Sequence, residues 1–147
     1  MTGSSIKAAK KSIALAALLA SSTALAGPSG WTVSEATGSV TVNRDGRVLT
    51  VGKNKRLNEG DVILTGKGSR AVLVRQKEYV VVKPGARLKI ADPEKDGPVT
   101  QFFQYIGNAL FKVEKKSTPH FGVETPYMAA VVKGTTFNVA VSQEGTS

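Results

Sequence analysis

The sequence predicts an all-β, antiparallel domain, a β-sandwich or β-helix-like wrap of about ten short strands, preceded by a signal-peptide helix. Three observations lead there. Beyond Trp31 the apolar residues recur at every second position in short bursts, the period of a half-buried strand. Turn formers separate the bursts at intervals of roughly ten residues. Only residues 101–106 offer a short helix as an alternative to strand.

The chain opens with Lys7, Lys10 and Lys11, continues with an apolar run from Ile13 to Ala20, and reaches the small residues Ala24-Leu25-Ala26. That order is a secretory signal peptide with an A-x-A site, so cleavage is expected between Ala26 and Gly27. A membrane anchor fits less well. The stretch from Ser12 to Ala26 contains Ser21, Ser22 and Thr23, and it falls short of the roughly 20 apolar residues that span a bilayer. Nothing after residue 26 resembles a membrane span, so a periplasmic or secreted protein with no retained span is expected. Residues 1–26 read as signal, 27–37 as a linker leading into the fold with Trp31 as its first core residue, and 38–147 as the β domain.

Within that domain, residues 39–42 and 48–51 flank Asp45-Gly46, the dipeptide that supplies the positive φ angles of a tight hairpin. Residues 57–61 turn the chain into Val62-Ile63-Leu64-Thr65, and Gly66-Lys67-Gly68 breaks it again. In residues 69–75, Ala71 and Leu73 share one face, Val72 and Val74 the other. Residues 79–83 are β-branched enough for a buried strand that ends at Pro84-Gly85. Residues 87–90 alternate cleanly, and residues 92–98, with two prolines and four charges, read as a mobile loop. Phe111 with Val113, and Phe121 with Val123, are inward pairs. Pro126 ends a strand or places it at an edge. Phe137, Val139 and Val141 line one face of the last segment.

The 147 residues include no Cys, one His, 20 Lys and Arg, and 11 Asp and Glu. Without Cys there is no disulfide, thiolate metal site or lipid-anchored cysteine, and stability rests on packing. Residues 27–147 keep 17 Lys and Arg against 11 Asp and Glu, a basic surplus that favours anionic partners. The charges are scattered along the sequence with few aromatic residues among them, so nucleic acid is not an expected partner. His120 stands alone after Pro119, a surface or capping residue with no second ligand for a metal. The single carboxylates Asp45, Asp61, Asp92 and Asp96 sit in turns, where local hydrogen bonds account for them. No phosphate loop, nucleophile elbow or H-E-x-x-H occurs. No enzyme, cofactor or metal is expected.

Three segments in series resemble the FecR domain. The first is Gly60-Asp61-Val62-Ile63-Leu64-Thr65-Gly66 with Ser69; the second begins at Gly107 and runs through Leu110 to Val113. The third joins Thr125-Pro126 to Gly134-Thr135-Thr136-Phe137 and Val139. Physical reasons suggest that these residues specify architecture and touch no ligand: Thr125-Pro126 stops a strand, Gly134 permits a bend, and Phe137 anchors a strand in the core. The resemblance implies a part in cell-surface signalling. Founding members are membrane-spanning regulators that sense an outer-membrane iron-complex receptor and control an extracytoplasmic-function sigma factor. An export signal at the start and no cytoplasmic sigma-binding region argue against direct sigma-factor control here. In the family further strands follow the position of Val141, whereas this sequence ends at Ser147. The domain is therefore expected to be truncated at its C-terminus, or to leave an open edge that pairs with another chain.

The sequence thus points to an exported interaction or sensing module whose partner is another envelope protein, such as an outer-membrane receptor, or a second copy joined through the C-terminal edge. The alternative is binding of anionic envelope glycan or lipopolysaccharide through the basic surface. Salt separates the two, because attraction by scattered Lys and Arg is screened while strand addition persists.

Overall fold

The alternation of inward and outward side chains builds thirteen strands and one short helix in a computed structural model that describes residues 27–146. The expected signal peptide and its Ala26 lie outside the described residues. The strands are β1 (Pro28–Thr37), β2 (Val40–Arg44), β3 (Arg47–Thr50), β4 (Arg56–Asn58), β5 (Val62–Thr65), β6 (Arg70–Arg75) and β7 (Glu78–Val82). After β8 (Arg87–Ile90) come helix α1 (Pro93–Asp96), β9 (Thr100–Lys112), β10 (Phe121–Glu124), β11 (Ala129–Val132), β12 (Thr136–Ser142) and β13 (Gly145–Thr146).

All thirteen strands join one curled half-barrel sheet, antiparallel except where β10 runs parallel to β9. The sheet is creased into two halves. One half runs β3-β2-β5-β8-β9-β10-β11. The other runs β4-β1-β6-β7-β9-β12-β13. The thirteen-residue β9 belongs to both: its first part pairs with β8 and β10, its second with β7 and β12. The chain also crosses from one half to the other between β1 and β2, between β5 and β6 and between β7 and β8, each time through a short turn.

Between the halves lies the core. Trp31 and Val33 of β1, Leu73 of β6, Val80 and Val82 of β7, and Phe111 of β9 face Val42, Ile63, Leu88, Phe102, Phe121 and Val123 from the opposite half. Its centre is aromatic. The Trp31 ring lies 5.0 Å from Phe102, Phe102 lies 5.7 Å from Phe111, and Phe111 lies 6.1 Å from Phe121. These separations are those of favourable edge-to-face and tilted pairs.

Several expectations change. Within residues 27–37, read as a linker leading into the fold, strand already begins at Pro28: β1 pairs with β4 and β6, and Trp31 is buried to 1 % exposure as the first core residue. The Ser29 hydroxyl donates to the Leu57 carbonyl at 2.8 Å, and Glu59 N donates to Gly27 O at 2.9 Å. Tertiary pairing here overrides the turn-like composition. Residues 101–106 are strand, as the all-β reading has them, and the helical alternative falls because β8 supplies a ladder partner. The loop at 92–98 holds the one-turn α1, whose first turn is capped by Asp92 accepting from Glu94 N at 3.0 Å.

Candidate functional site

Asp61 precedes β5 and is 1 % exposed. Its carboxylate takes two bonds from the Arg44 guanidinium, at 2.9 Å and 2.7 Å, and a third from Asn58 N at 2.8 Å. A bidentate, charge-assisted pair of this kind fixes geometry as well as charge. The hydrogen bond to Asp61 raises the Arg44 pKa. The neighbouring Gly60 has φ +88°, and its N–H donates to Ile90 O at 2.9 Å. Gly60 and Asp61 therefore lock the chain as it passes from β4 in one half to β5 in the other.

Thr65, Gly66 and Gly107 lie on the crease. The Thr65 hydroxyl donates to Lys83 O at 2.6 Å and accepts from Ala86 N at 2.9 Å. Gly66 N donates to Ser39 O at 3.0 Å, while its own carbonyl accepts from Gly85 N at 3.2 Å. The Ser69 hydroxyl accepts from Ser39 N at 2.8 Å. Gly107 bends β9 at φ +92° and packs directly on Ala86. A single line of small residues and hydroxyls thus ties the crossings β1–β2, β5–β6 and β7–β8 to the bend of β9.

The closing segment is also architectural. The Thr125 hydroxyl accepts from Tyr127 N and Met128 N at 3.1 Å and 3.0 Å, closing the turn between β10 and β11, with Pro126 exposed in it. Gly134, at φ +148°, lies against the Lys115 backbone, where no side chain fits. Thr135 O accepts from Val113 N at 2.8 Å. Phe137 is half-buried at the margin of the core rather than in its centre, and stacks on Phe111 at 5.2 Å. The ten motif positions fall into three clusters of structural bonds and do not converge on one pocket.

Two surface features lie apart from the motif. The hairpin of β10 and β11 carries Tyr127, Met128 and Val131, exposed by 54 %, 46 % and 53 %. Among the described residues β11 pairs with β10 alone, so its outer edge is open. The second feature is a polar cleft of about 450 Å³ lined by Arg75, Gln76, Glu78, Gln101, Glu114 and His120, among others. Within it Arg75 lies 4.5 Å over the Trp31 ring, pairs with Glu78 at 2.9 Å and donates to Gln101 at 3.0 Å. His120 Nε2 lies 2.7 Å from Glu114 O and 2.9 Å from Lys133 O, so it donates to two carbonyls as a brace between connections. Among the described residues no three His, Cys, Asp or Glu side chains come together as a metal site, and no helix is long and apolar enough to cross a membrane.

Sequence reasoning missed Arg75, because its partners Trp31 and Gln101 are remote in the chain. It also missed the cation–aromatic pairs: Arg87 over Tyr105 at 5.0 Å, Lys89 over Phe103 at 5.6 Å and Lys112 over Tyr79 at 5.7 Å. Each pair spans two strands, so only the strand register reveals it.

A creased β-sheet of this kind, with one helical turn among the described residues, is an all-β module. The model of the family described as FecR protein matches residues 61–147. The chain belongs to the FecR family, a regulatory and signalling family typically associated with the cell envelope. No match was found among curated proteins or among solved structures.

Proposed function

We propose that this FecR domain is an exported interaction and sensing module of the bacterial envelope, and that it engages another envelope protein by strand addition along β11. One observation carries the reading: β11, Ala129-Ala130-Val131-Val132, is an uncharged strand that pairs on one side only and is flanked by the exposed Tyr127 and Met128. Unpaired edges of this composition template pairing with another chain, and natural proteins usually blunt them with charge or proline. The signal-like first 26 residues support a periplasmic or secreted site of action, where the output is a change of partner. On this reading the domain neither catalyses a reaction nor holds a sigma factor directly.

The test is capture of envelope proteins by the purified protein, wild type against Val131→Lys, at low and at physiological salt. The reading expects a protein partner retained by the wild type at both salt levels and lost by the variant. Capture of anionic polymer alone, or equal capture by the variant, would contradict it.

A further inference from the structure

On the outer face of the half-sheet containing β5, β8 and β9, the pairing register places Val62 beside Lys89 and Lys89 beside Phe103. One step along, Leu64 stands beside Arg87, and Arg87 beside the β9 bulge at Tyr105 and Ile106. The intervening residues Ile63, Leu88 and Gln104 are fully buried, so Arg87, Lys89, Phe103 and Tyr105 all point outward. They form a two-by-two array, with cations on β8 and rings on β9. Successive positions on each strand are about 6–7 Å apart.

The charge environment of this array is one-sided. Ion pairs in the described residues join Arg44 to Asp61, Arg70 to Glu35 and Arg75 to Glu78. Arg87 and Lys89 have rings as partners instead, so their charge is left uncompensated. The carboxylate of the same row, Glu124, is one strand farther out on β10 and accepts the Thr100 hydroxyl at 3.1 Å. Residues 27–147 as a whole are basic. We infer that this face binds an anionic glycan, whose carboxylate or phosphate groups bridge Arg87 and Lys89 while a sugar ring lies against Phe103 and Tyr105.

Charge-assisted hydrogen bonds supply the anion contact. Among the described residues the Tyr105 hydroxyl makes no hydrogen bond, which leaves it for a sugar hydroxyl. A nucleic acid fits less well, because two rings on one strand do not make the run of stacking platforms that successive bases need. A lipid surface fits less well too, because the array lies on strands and is not the amphipathic helix that typically beds into a bilayer interface.

The test measures affinity of the full chain, as purified, for polygalacturonate, for its methyl-esterified neutral form, for single-stranded DNA and for phosphatidylglycerol vesicles. Polygalacturonate is expected to bind at physiological salt and the ester not to. Arg87→Gln with Lys89→Gln should weaken binding about tenfold or more, whereas Lys53→Gln with Lys116→Gln, equal in charge but elsewhere, should change it less than about threefold. Phe103→Leu with Tyr105→Leu should weaken it although no charge is lost, provided circular dichroism shows a native fold. The charge variants keep the test decisive if that pair misfolds. Equal loss from the two charge pairs, tighter binding of DNA or vesicles, or no binding of polygalacturonate would each overturn the inference.

Discussion

The Cα of Ala86 occupies the space that a side chain on Gly107 would need: a Cβ built on Gly107 falls 2.5 Å from it and 2.9 Å from Gly85 O. Two backbones meet there because β9 bends at the level where the turn joins β7 to β8. Gly107→Ala is therefore expected to cost roughly 2–4 kcal/mol, combining positive-φ strain with a backbone clash. Gly85→Ala, also on the crease at φ +69° but facing open space, should cost only about 1–2 kcal/mol from conformation. Urea denaturation of both variants checks the difference. Equal costs would mean that close approach plays no part in the crease.

The Thr65 hydroxyl makes a separable contribution. Thr65→Val keeps the shape but leaves Lys83 O and Ala86 N without the bonds now at 2.6 Å and 2.9 Å. A loss of about 2–4 kcal/mol is expected, against less than about 1 kcal/mol for Thr65→Ser, which keeps both bonds. Midpoints of chemical unfolding for the two variants decide between hydroxyl and methyl as the important group.

Arg44 and Asp61 should be coupled. Asp61→Ala leaves a guanidinium and the Asn58 N–H without their acceptor, and about 2–4 kcal/mol is expected to be lost. Once Arg44→Ala is present, the same change should cost less, with a coupling energy of about 1–2 kcal/mol. A double-mutant cycle by thermal unfolding measures it, and additive losses would refute the coupling.

Much of the fold was legible because strand period is local. Phe111 with Val113 and Phe121 with Val123 alternate in the sequence, and all four are buried. What was not legible depends on which strand lies next to which. Gly66 read as a break between separate strands and is one, between β5 and β6, whereas Gly107 read as a break and is a bend within β9. Pro28, Ser29 and Gly30 read as linker, because nothing nearby announces β4 and β6 as partners. Among the motif residues, Asp61 and Thr65 bind neighbouring chain segments through side-chain hydrogen bonds whose partners the sequence does not name. The Arg87–Tyr105 and Lys89–Phe103 pairs were invisible for the same reason as β1: their partners lie some 14 to 18 positions away and come together only through the register of β8 with β9.

The account of function rests on the open edge of β11, and amide hydrogen exchange on the captured complex tests it most directly. Partner binding is expected to slow exchange within residues 129–132 and to leave the β3 edge at residues 47–50 unchanged. A complex in which residues 129–132 exchange as in the free protein, with new protection elsewhere, would contradict strand addition at β11.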